Sequence, residues 1–237
     1  MRNKILIVSA FIGSVFFTSC DSTDVAVPAA TTDYSWVQEF DSIGTALRQG
    51  WVAINNSKPA GVETWGQAYP YYESKKGLNN GNGISAQSYL YSGKDFILAT
   101  YNCGYDVANI SAWLVSPKTM IKNGDKITFY TAAEPGAGRA NRLQVRLNPT
   151  NSSSNVGSDS SSVGDFRTLL LDINPELKKT GAAIYPETWT KYTVTISGLS
   201  APSERRFAFR YYVTDGGPGG KNSSGIGIDK VSFESAQ

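Results

Sequence analysis

The 237-residue sequence predicts an all-β fold, a single β-sandwich or jelly roll of antiparallel strands. Three observations point there. Apolar and polar residues alternate with period two, as half-buried strands require. Leu143, Val145 and Leu147 alternate with Arg142, Gln144 and Arg146; Tyr192, Val194 and Ile196 with Lys191, Thr193 and Thr195; Phe207, Phe209, Tyr211 and Val213 with Arg206, Ala208, Arg210 and Tyr212. Asn- and Gly-rich turns punctuate the runs at 79–83, 123–125, 135–138 and 216–220. No segment carries a long helical period.

The chain opens on an export signal. Arg2 and Lys4 precede an apolar run over 5–17, and Thr18 and Ser19 lead to Cys20. The run is short for a membrane span, and Asp21 and Asp24 follow at once. Small residues before a lone cysteine resemble the lipobox of bacterial lipoproteins. In those proteins the signal is cut before the cysteine, which then carries palmitate-type acyl chains. Residues 1–19 are thus expected to be a lipoprotein signal peptide, with an ordinary secretory signal or a signal anchor as the alternatives. Acyl chains on Cys20, at roughly 0.8 kcal/mol per buried CH₂, would hold the protein at the outer membrane. Residues 21–33 are small, polar and aperiodic, so 20–33 reads as lipidated cysteine plus flexible tether. Residues 34–237 form the single folded domain.

Within that domain further strands are expected at 36–41, 50–54, 84–91, 96–101, 111–116, 126–132 and 167–173. Short helical turns fit 42–49 and 175–179. Residues 148–164 are rich in Ser, Asn and Gly with almost nothing to bury. They read as a long surface loop or a locally disordered insert, because the strand pattern resumes unchanged after them. About ten strands in roughly 200 residues are enough for a sizeable two-sheet core.

Composition excludes several chemistries. There is no histidine, so His-based triads, His-ligated zinc and His pH switching are absent. The formal charge of +2 comes from 22 basic and 20 acidic residues. Two of the basic ones, Arg2 and Lys4, leave with the signal, so charge gives no argument for nucleic acid as partner. With Cys20 lipidated, Cys103 has no partner for a disulfide and reads as a small buried apolar residue.

An ordered set of motifs resembles the choice-of-anchor J, or cleaved-adhesin, family of Bacteroidota surface proteins. The pieces are Glu39-Phe40-Asp41, Gly50-Trp51, Trp65, Trp113 to Pro117, Tyr185 to Trp189, Phe209 to Tyr212, and Gly225 to Val231. The resemblance implies a jelly-roll β-sandwich of two antiparallel sheets, an adhesive or binding role and no catalysis. Domains of that family usually sit beside catalytic or sorting modules, whereas this one reads as standing alone on a lipid anchor.

Two groups of residues are candidate sites. Asp229 lies in a closing strand whose alternation puts Ile226 and Ile228 on one face and Asp229, Val231 and Phe233 on the other. A buried carboxylate needs partners. Similarity to jelly rolls that hold a structural calcium at the rim suggests Asp229, Glu39 and Asp41 as its oxygen ligands. Hydrogen bonds from the Gly/Ser-rich loop before Asp229 are the alternative. The second group is aromatic: Trp65, Tyr69, Tyr71 and Tyr72, set among Asn, Gln and Gly. Flat apolar rings edged by amides are what a sugar-binding surface needs, although rings that merely cover the sandwich end would look the same. Arg142, Arg146, Arg206 and Arg210 fall on outward faces and read as solvated, with acidic glycan as the sharper possibility. Glu63, Glu73, Asp106, Glu134 and Asp165 are scattered, with no spacing that pairs two of them for glycoside cleavage.

The expectation is a non-catalytic envelope module that binds glycan or another surface polymer through loop aromatics. The alternatives are a structural protein–protein interaction module and, less favoured, a carboxylate glycosidase.

Overall fold

The structure is a computed structural model that describes residues 32–68 and 96–237. The export signal, Cys20, most of the tether, the expected strand at 84–91, and Tyr69, Tyr71 and Tyr72 lie outside the described residues. No helix among the described residues is long and apolar enough to cross a membrane.

Strands β1 (Trp36–Gln38), β2 (Val52–Asn55), β3 (Lys58–Ala60), β4 (Gly66–Ala68), β5 (Phe96–Thr100), β6 (Gly104–Val115) and β7 (Thr119–Ile121) come first. Then follow β8 (Lys126–Ala133), β9 (Leu143–Leu147), β10 (Thr168–Ile173), β11 (Thr190–Thr195), β12 (Ser203–Arg205), β13 (Phe207–Gly216) and β14 (Gly225–Glu234). Among the described residues they form two main antiparallel sheets, as expected. One runs β11-β8-β14-β5-β4 and the other β10-β9-β13-β6-β2; β7 and β12 make a separate pair. Strand β1 pairs the second half of β14, with Trp36 opposite Phe233 and Gln38 opposite Val231, so the two ends of the domain meet.

The alternating residues identified above face inward. Phe207, Phe209, Tyr211, Val213, Leu143, Val145 and Leu147 are all fully buried in the central core. Rings tie the two sheets together: Phe129 meets Phe209 edge-on at 4.9 Å, and Trp36 stacks on Phe207 at 6.0 Å. Burial of such rings is the main stabilising term.

Local departures have local causes. The first strand ends at Gln38 because Phe40 adopts φ 54° and turns its ring into the core. The helical turn after it is α1 (Ile43–Arg48), capped by the Ser42 hydroxyl, which accepts from Thr45 N. The expected turn of helix at 175–179 is absent. There the Asn174 side chain bonds Lys178 N and Lys178 O, and Asn174 and Leu177 take positive φ. This side-chain competition replaces helical bonding.

The loop between β9 and β10 corrects the sequence reading. It does not lack buried residues. Val156 and Phe166 pack with Trp113, Val115 and Ala208 in a second small core on the outer face of the β6–β13 sheet. Its Asn and Ser residues hold the backbone: Asn148 Oδ1 accepts from Thr150 N and Asn151 N, and Asn151 Oδ1 accepts from Ser153 N.

Candidate functional site

Asp229 sits at a bulge. The pairing of β14 with β8 shifts register between Asp229 and Ser232, and Lys230 takes φ 47°. The extra residue resets the alternation, so Ile226, Ile228, Val231 and Phe233 all join the central core. Asp229 therefore does not share a face with Val231 and Phe233, as the uninterrupted pleat predicted. It lies on the face away from Ile228.

The carboxylate is fully buried. Oδ1 accepts from Lys230 N at 2.8 Å, so its donor is the next residue and not the Gly/Ser-rich loop. Oδ2 has no hydrogen-bond partner among the described residues. Burial first, then the charges of Glu39 and Asp41, push its pKa up to about 7 against the opposing hydrogen bond and charge of Lys230. The fold thus brings the three named acids close enough to feel one another. Lys230 Nζ lies 3.4 Å from Glu39 Oε1. Among the described residues no three His, Cys, Asp or Glu side chains are arranged as a metal centre. The all-oxygen donor set and the orphaned Oδ2 are still what a hard cation such as calcium would use.

Trp65 is a core residue. It is 2 % exposed, and its indole N–H donates to Ala112 O at 3.1 Å. Its ring offers no open face to a sugar, because it packs in the central core. Cys103 is fully buried, and burial pushes its thiol up to about 12.

A cavity opens instead at the loop end of the sandwich. It measures about 420 Å³ and is lined by Tyr101, Glu134, Ala137, Arg139, Pro218 and Ser224. A narrow crevice sharing Glu134 and Arg139 continues toward Lys178 and Tyr185. The walls are fastened. Arg139 Nη1 donates to Gly220 O at 2.6 Å, joining the β8–β9 loop to the β13–β14 loop. Buried Asn141 accepts from Tyr211 Oη at 2.6 Å and Ser224 N at 3.1 Å, and donates to Ser224 Oγ at 3.0 Å. Tyr101 N donates to Ser224 O at 3.1 Å. The Glu134 carboxylate receives no hydrogen bond among the described residues, and partial burial raises its pKa against the pull of Arg139. An acceptor, a guanidinium and a ring thus border one pre-shaped space. The sequence pattern showed only the turns at 135–138 and 216–220, with Glu134 as one scattered acid. The two turns are about 80 residues apart and meet only in the folded sandwich.

The outward arginines are also not simply solvated. Arg210 is 1 % exposed and donates to Ser111 Oγ, Gln144 Oε1 and Ser160 O, pinning the β9–β10 loop. Arg206 holds Ser152 O, Gly50 O and Ser116 O. Arg142 makes a two-pronged bond to Asp172 at 2.8 and 2.6 Å. Burial lowers the pKa of Arg210 to about 10; Tyr212 opposes that, and Arg146 and Arg142 add to it.

This architecture is an antiparallel β-sandwich of two main sheets. No protein-family model matches the chain, and no curated protein matches it. Among solved structures, the chain shares its fold with cleaved adhesin domains of Lys-gingipain. The K1 domain from Porphyromonas gingivalis W83 aligns at TM-score 0.54 and 18 % identity, over 86 % of this chain and 99 % of that one. The K2 domain of Lys-gingipain aligns at TM-score 0.50 and 14 % identity, over 85 % of this chain and 98 % of that one. A looser match, at TM-score 0.43 and 14 % identity, is the CBM22-1 xylan-binding domain of Paenibacillus barcinonensis Xyn10C, covering 87 % of this chain and 97 % of that one.

Proposed function

We propose that this chain is a non-catalytic binding module of the cell envelope, held by lipid on Cys20, that recognises a glycan or another surface polymer at its loop end. The observation that carries this reading is the fastened cavity of about 420 Å³ between Tyr101, Glu134, Arg139 and Pro218. Its volume suits one or two sugar rings. Glu134 and Arg139 supply an acceptor and a donor for neighbouring hydroxyls, and the Tyr101 and Pro218 side chains supply apolar surface. Among the described residues Glu134 is the one carboxylate that lines the cavity itself, and Glu187 lines the crevice that continues from it. Tyr69, Tyr71 and Tyr72 remain candidates for further ring contacts. Calcium on Asp229, Glu39 and Asp41 belongs to the same reading as a structural clasp; binding it would draw Glu39 away from Lys230.

A glycan array tests the proposal. The wild-type chain should bind a defined set of glycans. Glu134→Gln should lose that set while the chain keeps its melting temperature, and Arg139→Ala should lose it together with the tie to Gly220. Loss with Tyr71→Ala or Tyr72→Ala instead would move the contact to the aromatic loop. An array without hits would overturn the glycan reading. Incorporation of a palmitate analogue that survives Cys20→Ser would overturn the anchor.

A second reading, docking onto an envelope protein, has one observation in its favour. Val62, Tyr105 and Val107 are 97 %, 68 % and 51 % exposed around the β3–β6 pair. A protein that co-purifies with the wild-type chain and is lost with Tyr105→Ser would support it.

A further inference from the structure

The outer face of the β10-β9-β13 sheet carries a second surface, away from the loop-end cavity. Arg142 directly precedes β9, and Gln144 and Arg146 alternate along it; Asp172 stands opposite Gln144 on β10, and Arg210 opposite it on β13. Two guanidinium groups flank the Tyr212 ring, Arg210 at 3.9 Å and Arg142 at 5.0 Å from its centroid. Leu169, 46 % exposed, pairs with Arg146 at the β10 edge.

Charge on this face is uneven. Among the described residues three guanidinium groups, those of Arg142, Arg146 and Arg210, stand beside the carboxylate of Asp172, and Asp159 acts on Arg210 from the covering loop. Asp172 is bound to Arg142. Arg146 is half-buried and donates through Nε to Gln144 Oε1 and through Nη1 to Phe166 O; its Nη2 makes no hydrogen bond among the described residues. A half-buried guanidinium with a free edge, beside a second cation, is a ready partner for a carboxylate or sulfate.

We infer that this face binds an anionic polysaccharide, one with carboxylate or sulfate groups on its sugars, across Arg146, Arg142 and Leu169. Two features favour polysaccharide over nucleic acid. The whole chain is nearly balanced, with 22 basic and 20 acidic residues, so it projects no broad positive field. Duplex DNA presents a charge about every 1.7 Å and needs a row of cations, whereas a sugar acid needs one or two. Leu169 suits the C–H face of a sugar ring. The inference does not depend on the cavity, which lies on different elements.

Native affinity electrophoresis of the full chain tests it, in gels containing polygalacturonate, dextran sulfate or neutral dextran. One of the two anionic polymers should retard the protein and dextran should not. Salt at about 0.5 M, where screening shrinks to roughly 4 Å, should abolish the retardation. Arg146→Glu should weaken binding at least about tenfold and Arg146→Gln severalfold. Asp172→Asn removes the competing charge and should strengthen binding, a gain that a purely structural role would not produce. Glu134→Gln should leave this binding unchanged, so failure of the cavity reading is separable from failure here. The inference is overturned if neither anionic polymer retards the wild-type chain, or if Arg146→Gln and Asp172→Asn both bind as wild type. Equal retardation by duplex DNA overturns the assignment to polysaccharide. Should Arg146→Glu not fold, the other two variants decide.

Discussion

Lys230 Nζ stands 3.4 Å from Glu39 Oε1, so the residue after the buried Asp229 offsets one of the two carboxylates that repel it. The same bulge that aims Lys230 at Glu39 leaves Asp229 Oδ2 without a hydrogen bond among the described residues. The clasp between the first and last strands thus carries excess negative charge, and this has consequences for pH and for cations.

The pH dependence follows from the raised pKa of Asp229, about 7 in the folded chain against 3.8 as its ordinary value. Between those values the folded chain holds a proton that the unfolded chain has released. Its stability contribution is complete below about pH 4, is lost as pH rises toward 7, and is flat above. Urea midpoints of wild type and Asp229→Asn, measured from pH 4 to 8, should differ in slope over that interval. Parallel curves would show that Asp229 does not titrate there.

Calcium should raise the melting temperature, because a ligand bound only by the native chain stabilises it. The rise should be larger at pH 8 than at pH 5, since the cation and the proton compete for Asp229. A melting temperature unmoved by calcium or chelator would remove the clasp as a metal site.

Cys103 should resist alkylation. Its thiol is fully buried and pushed up to about 12, so almost no thiolate exists at pH 8. Iodoacetamide should leave the Cys103 peptide unmodified in native protein and modify it completely in urea, as read by mass spectrometry.

Asn141→Ala should destabilise the domain by about 2–4 kcal/mol. It removes three side-chain hydrogen bonds and leaves the buried Tyr211 hydroxyl without its acceptor. Glycan binding at the cavity should fall with it, because Ser224 loses its support.

Phe166→Ala should cost about 3–5 kcal/mol and expose the β9–β10 loop to protease, since Phe166 anchors that loop on Trp113. Cleavage within 148–166, read by mass spectrometry, measures the release. Protection equal to wild type would show that the Asn and Ser turns alone hold the loop.

Much of the fold was legible because period-two alternation reports burial directly. Phe207, Phe209, Tyr211 and Val213 face inward as the pattern required. Pattern failed where one inserted residue or one long loop intervened. The bulge at Lys230 has no sequence signature beyond an ordinary lysine, yet it turns Asp229 away from Val231. The β9–β10 loop looked empty because only Val156, Val163 and Phe166 are apolar, and nothing local says that they meet Trp113. Arg210 looked solvated for the same reason: its burial depends on a loop that lies some 50 residues earlier in the chain.

By itself the sequence determined the sandwich, its inward residues and the lack of histidine chemistry. These follow from alternation, composition and chain order, which are local or global properties of the string. Only the tertiary structure decided that the first and last strands pair, that Trp65 is core, that Arg139 closes a cavity against Gly220, and that Arg146 keeps a free edge beside Asp172. Each of those depends on which loops from distant parts of the chain come to lie together. A one-residue register change or a folded loop settles that, and periodicity does not record it.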